Sequence, residues 1–385
     1  MVHNVAFVPA GFSFVKHPSR SSKPAGQGAR AAGDWLHIQP RPCPTMTRFL
    51  LSSTFALAAV LTVDALSVPA AASAEPPARA ALVEKIIATT EAAVADPRWV
   101  AGPEWEAFKA IVRDPALQAL DDTKFRTAFN DATDALPFTH LQLRSTENRG
   151  ASSDEPMISL DWPRDDVARI KVRRFAGDPA EFAARMNEVI EAAPDALVLD
   201  LRGTPGGSFP TAVALTRALT NEPVDAGAWL ARGWFDRHGK LPDAEQYESI
   251  TALETLDLDA FVEKLQREGA TRLILPAHDQ PIFEGRVVIL TDSGTGSACE
   301  PLVDRLQRRG IPVVGERTAG AMLSAEFFPM DETFRLFAPV ADYVTPDLVR
   351  LDRRGVFPDV EVRSEQALAH ALAVIDSPAG PDAVE

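Results

Sequence analysis

The sequence predicts an α/β protein, with a small helical segment followed by a core in which strands and helices alternate. Three observations predict it. Residues 78–136 space their apolar side chains as helices do and are punctuated by prolines. From residue 157 onward, short runs with strand character alternate with longer helical ones. Two of those strands, Ala196-Leu-Val-Leu-Asp200 and Arg286-Val-Val-Ile-Leu-Thr291, are continuous apolar runs, as strands are when both sheet faces are covered.

Taken in order, Ala81 to Ile87 and then Trp105, Phe108, Ile111 and Val112 fall at helical spacing. Pro97, Pro103 and Pro115 divide the stretch into about three short helices. The run from Asp134 to Leu143 ends in strand-like alternation. The polar stretch 145–156 reads as a loop, the expected boundary between a helical domain at 75–150 and a larger one at 151–365. A strand at 167–175, a helix at 179–193 and the strand at 196–200 follow. Next come the glycine-rich turn at 202–207 and a helix at 209–220. Residues 222–275, polar and containing Trp229 and Trp234, read as a partly helical insertion that covers a cleft. After the strand at 286–291, a helix is expected from Ser297 to Arg309, capped by Gly310, then a strand at 311–315. Residues 366–385 read as a closing helix and tail.

The chain has 385 residues, 46% of them hydrophobic, and a formal charge of −15. No basic face resembles one that tracks phosphates, so nucleic-acid binding is not expected. The only cysteines, Cys43 and Cys299, cannot build a disulfide framework or a zinc site. Residues 1–45 are rich in Gly, Pro, Ser and Arg and do not read as folded protein. Met46 then opens a short basic start, an apolar run interrupted by Asp64, and a small-residue end at Ala72-Ser73-Ala74. That layout is a secretory signal peptide. The reading is that 1–45 is a non-native extension, 46–74 a signal, and the mature chain begins at Glu75. The product is then periplasmic or secreted, with no stable membrane span after cleavage. Removing residues 1–74 takes the formal charge to −19 and leaves Cys299 alone, read as a buried small side chain.

Two segments carry candidate chemistry. Ser297, in Thr291-Asp-Ser-Gly-Thr-Gly-Ser-Ala-Cys-Glu300, follows a buried strand and a tight turn and opens a helix. There its hydroxyl sits beside free backbone N–H groups, with that of Ala298 a candidate oxyanion donor. An ordinary helix-capping serine has the same local pattern. In Asp200-Leu-Arg-Gly-Thr-Pro-Gly-Gly207, paired glycines after a strand let backbone N–H groups of Gly206 and Gly207 approach a substrate closely.

Together these segments resemble the C-terminal-processing serine peptidases, a superfamily that includes the tricorn core protease and the interphotoreceptor retinoid-binding proteins. The resemblance continues in Gly315-Glu-Arg-Thr-Ala-Gly320 and Gly355-Val-Phe-Pro-Asp359 and covers roughly residues 134–365. It implies a ClpP/crotonase-like core of repeated ββα units and serine-type peptide hydrolysis without cofactor or metal. The better-known branch places a lysine soon after the Thr-Ala-Gly element. Here that position is Ala321, and no lysine follows Lys264.

The tricorn-like branch takes its base from a histidine next to a hydroxyl residue, which Thr139-His140 matches, and orients it with a later acid. Asp352 falls where that acid is usually glutamate. The resemblance therefore assigns Ser297 as nucleophile, His140 as base, and Asp352 with Thr139 as the group that holds it. Glu300 and Glu316 match family positions but read as structural acids. The stretch between Leu143 and Val167 is too short for the PDZ domain many relatives carry. The expected partner is a peptide or protein substrate. The rival readings are a non-catalytic peptide- or ligand-binding protein on the same fold, and a crotonase-like acyl-CoA enzyme.

Overall fold

Prolines open the first three helices instead of closing them. The computed structural model describes residues 76–147, 155–254 and 257–377; the expected extension and signal segment lie outside these residues, as does most of the expected boundary loop. Helices α1 (Pro76–Ala93), α2 (Pro103–Val112) and α3 (Pro115–Gln118) all begin at a proline, and α4 (Asp122–Ala132) follows. Proline lacks an N–H that the first turn would leave unpaired in any case, so it costs nothing there. Asp114 and Asp121 cap the next free donors, accepting from the backbone N–H of Ala116 and Lys124. The inner faces of these helices make an aromatic chain. Phe108 meets Phe129 edge-on at 5.3 Å, and Phe125 lies 6.0 Å from Phe334 of the neighbouring sheet.

That sheet is mostly antiparallel. Its order is β1 (Gln142–Ser145), β11 (Phe334–Val344), β5 (Val224–Ala231), β7 (Ala270–Leu275) and β6 (Ala252–Leu253), with β10 (Ser324–Pro329) also paired to β11. The other sheet runs β2 (Ile158–Arg164), β3 (Val167–Val172), β4 (Ala196–Asp200), β8 (Arg286–Thr291), β9 (Val313–Gly315) and β12 (Val360–Glu361). Its pairs are parallel except the β2–β3 hairpin. Helices α5 (Pro179–Ala192), α6 (Phe209–Leu219) and α10 (Cys299–Gln307) cover one face, and α11 (Ser364–Asp376) the other. Alternation along β4 serves both: Leu197 and Leu199 join the core with α5 and α6, while Ala196 and Val198 pack with Ala367 and Ala371 of α11. The unbroken apolar run of β4 has this double burial as its cause.

Three expectations need correction. Residues 222–275 are not a cover laid over a cleft, because β5 and β7 are interior strands of the antiparallel sheet. Trp229 is buried there, with its ring edge-on to Phe209, Phe261 and Tyr343. The segment's charge sits mainly on its helices α7 (Arg232–His238), α8 (Ala244–Ser249) and α9 (Leu258–Glu268), and this masks the strands between them. The longest strand, β11, lies in a region with no expected element. The helix after Ser297 begins at Cys299 and not at the serine. Among the described residues no helix is long and apolar enough to cross a membrane.

Candidate active site

Ser297 stands in a left-handed turn, with φ of +54°. For a residue with a side chain this conformation costs about 1–3 kcal/mol and persists only where its surroundings enforce it. The enforcement comes from two directions. Asp292 accepts from the N–H groups of Gly294 and Gly203, at 2.9 and 2.8 Å. Gly296 N–H donates to the Thr204 carbonyl, and the Thr295 hydroxyl to the Leu201 carbonyl. These bonds stitch the serine turn to the glycine-rich turn after β4. From the helix side, the fully buried carboxylate of Glu300 accepts from the Ser297 N–H at 3.2 Å.

Glycine is required at 206 by contact. A β-carbon there would lie 2.6 Å from the Ser297 β-carbon and 2.5 Å from the Gly296 carbonyl oxygen. That close approach makes Gly206 the spacer that lets the two turns meet. Gly207 pairs with Phe175 through its neighbours, as Phe175 donates to the Gly206 carbonyl and Ser208 to the Phe175 carbonyl. Among the described residues no protein acceptor takes the N–H of Gly207 or Ala298.

The second half of the site is built around Thr139. His140 also has a left-handed backbone, φ +65°, which turns its ring back toward its predecessor: Nδ1 lies 2.8 Å from the Thr139 hydroxyl. That hydroxyl donates to Asp352 Oδ1 at 2.5 Å, and the Thr139 N–H donates to Oδ2. Asp352 therefore reaches His140 through Thr139 and not directly. Its side chain is fully buried, and Arg350 donates to it at 3.0 Å while also pairing with buried Asp342. Burial pushes the Asp352 carboxyl above its usual range against the pull of Arg350. Burial, then the Arg144 charge, pushes the His140 imidazole down to about 4.

Glu300 joins the halves. Its two oxygens accept from the Thr318 hydroxyl and from the N–H groups of Gly320, Ala321 and Ser297. Gly320 in turn accepts from the Arg353 N–H at 2.7 Å, one residue past Asp352. Burial pushes the Glu300 carboxyl up to about 7 against these four donors. Ser297 and His140 are not hydrogen-bonded to each other. The other described histidines are elsewhere: His238 stacks on Trp234, His278 meets the Thr220 carbonyl, and His370 lies on α11. Glu316 accepts from the Ser364 N–H and touches no site residue.

Residues 166–362 match the sequence model of peptidase family S41. The chain belongs to that family. The S41 match holds Ser297, Gly206, Gly207 and Asp352; Thr139 and His140 precede it and join them through the fold. A carboxyl-terminal-processing protease of Synechocystis sp. is 29% identical over 219 residues, 56% of this chain and 42% of that protein. One from Picosynechococcus sp. is 26% identical over 208 residues, 54% of this chain and 41% of its own. The chain thus spans about two fifths of the length of these curated relatives. Among solved structures, a lipoprotein from Streptococcus agalactiae superposes with a TM-score of 0.52 at 15% identity, covering 78% of this chain and 97% of that one. A Parabacteroides merdae protein gives 0.53 at 12%, covering 81% and 100%. These two share the fold.

Beside the Ser297 turn lies a small apolar pocket of about 20 Å³. Ala298, Phe209, Val213, Ala226, Leu275 and Pro301 are among its walls. It sits one residue from Ser297.

Proposed function

We propose that this S41 protein is a serine peptidase that cleaves peptide bonds through an acyl-enzyme. The observation that carries the reading is the placing of Thr139 between His140 and Asp352. An ionised carboxylate only accepts, so the single Thr139 hydroxyl hydrogen goes to Asp352. The hydroxyl oxygen then accepts from His140 Nδ1–H, which leaves Nε2 as the basic nitrogen.

In the proposed reaction Ser297 Oγ attacks the scissile carbonyl carbon as its proton passes to His140 Nε2. The carbonyl π electrons move to oxygen, and the N–H groups of Gly207 and Ala298 stabilise the oxyanion, with Gly206 allowing the approach. Collapse breaks the C–N bond, and the leaving amine takes the proton from His140. Water, activated by the same imidazole, then hydrolyses the ester and restores Ser297.

The layout from Met46 to Ala74 supports an exported product, in which residues 75–150 bring Thr139 and His140 to the site that residues 151–365 complete. N-terminal sequencing of the secreted chain tests this by looking for a start at Glu75. For the chemistry, a fluorophosphonate probe should label the wild-type protein on Ser297 and leave folded Ser297→Ala unlabelled. Labelling that survives the substitution would place the nucleophile elsewhere, and a folded wild-type protein that never reacts would overturn the reading in favour of a binding protein.

A further inference from the structure

The wall that holds His140 gathers positive charge with no opposite charge paired to it among the described residues; Arg144 donates only to the neutral side-chain oxygen of Gln142. β1 and β11 pair so that Arg144 stands opposite Arg335 and Gln142 opposite Phe337. Opposed residues, and those two apart along a strand, share a face, so all four lie together. The row continues onto β10, where Phe327 pairs with Phe337 at a ring separation of 4.8 Å. The Arg335 guanidinium lies 4.1 Å over the Phe327 ring. At the other end the His140 ring is 5.6 Å from Phe337. Arg174 belongs to the opposite wall: it directly precedes Phe175, whose backbone pairs with Gly207.

Arginines facing each other across a strand pair destabilise it. Among the described residues, neither these three nor nearby Arg126 has an ion-pair partner, although acids outnumber bases in the chain by 54 to 39. The buried Nε of Arg335 has no acceptor. The charges of Arg174, Arg126 and Arg335, after burial, hold Arg144 below its ordinary range, so they are close enough to act on one group. Phe327, 42% exposed, leaves the apolar part of the row open to solvent.

We propose that Arg144, Arg335 and Arg174 form a subsite for a carboxylate of the peptide substrate, with Phe327 and Phe337 as the apolar floor beneath the residue that bears it. This rests on peptide cleavage at Ser297 and adds the substrate's class. That class is peptides with an acidic group near the scissile bond, either the C-terminal carboxylate or an Asp or Glu side chain. Guanidinium forks match a carboxylate in shape and charge. The bound anion would also offset the repulsion among the arginines that the free protein retains.

Binding of fluorescent peptides to the Ser297→Ala protein, followed by anisotropy, tests the proposal without any turnover. One matched pair of alanine-rich peptides ends in a free carboxylate or an amide. Further amidated pairs carry Glu or Gln at successive positions. At low salt the acidic member of at least one pair should bind about tenfold or more tighter, the scale of a charge-assisted hydrogen bond. In Arg144→Gln/Arg335→Gln that preference should fall to near onefold. Discrimination by the terminal pair assigns the subsite to the C-terminus, and by a Glu/Gln pair to a side chain; either supports the proposal. If no pair discriminates, or if the preference survives the substitutions, the subsite does not exist. Should the double variant lose its thermal transition, Arg174→Gln, exposed and outside the strands, is read in the same way. Failure of the wild-type protein to cleave any peptide would sink the hydrolytic reading alone, since binding is measured independently.

Discussion

Thr139 has one hydroxyl hydrogen and two lone pairs, and the site uses both kinds. Thr139→Ser should therefore preserve turnover. Thr139→Val keeps the shape, frees the ring and leaves a buried Asp352 oxygen without its donor. It should lower kcat by about tenfold or more, within the ~10²–10⁴ that a general base supplies, with little change in KM. The pH profile checks the base itself. With the His140 imidazole held down to about 4, the acid limb of kcat/KM on an uncharged peptide should fall near there and not at the ordinary value of ~6.5. The sign is the same for stability: the unfolded chain takes up this proton as pH drops below ~6.5 while the native one resists until about 4, so His140's contribution is complete above that window and declines within it. A limb at or above 6.5 would argue against His140 as the base. Ser297, Thr139-His140 and the glycine pair were legible as sequence because each sits in a short motif with a local reason. Glu300 read as a structural acid, but which groups it binds was not legible, because its four donors come from residues 297, 318, 320 and 321 and follow no spacing rule. The intervening role of Thr139 was visible only as adjacency, since the direction of a ring is set by the left-handed φ of His140.

Among elements, the parallel strands were the easiest to read. β4 and β8 are apolar runs because helices cover both faces of their sheet. The antiparallel sheet hid itself in two ways. β5 and β7 are separated by charged helices that dominate the composition of 222–275, and β11 contains Arg335, Pro339 and Asp342, which blur its alternation. Trp229 discriminates between an insertion and a core strand. On a surface cover, Trp229→Ala would be nearly silent. Packed against Phe209, Phe261 and Tyr343, it should cost about 3–5 kcal/mol, read as a lower urea midpoint at unchanged slope.

At the scale of the molecule, the proposed base and nucleophile belong to different sheets: His140 leads into β1, and Ser297 follows β8. They are joined through the Glu300–Gly320–Arg353 bridge and have no hydrogen bond of their own. Loosening between the sheets should cost activity before it costs secondary structure, so peptidase activity should vanish at a lower urea concentration than far-ultraviolet dichroism. Coincident curves would mean that the site and the fold fail as one unit. The same layout bears on how the protein is made. The pieces leave the ribosome in the order Thr139-His140, Ser297, Asp352. A growing chain acquires its nucleophile well before the acid that orients its histidine, and the carboxylate arrives only when nearly the whole described chain has been synthesised. On the proposed mechanism, the site is therefore incomplete until residue 352 has been added, late in synthesis.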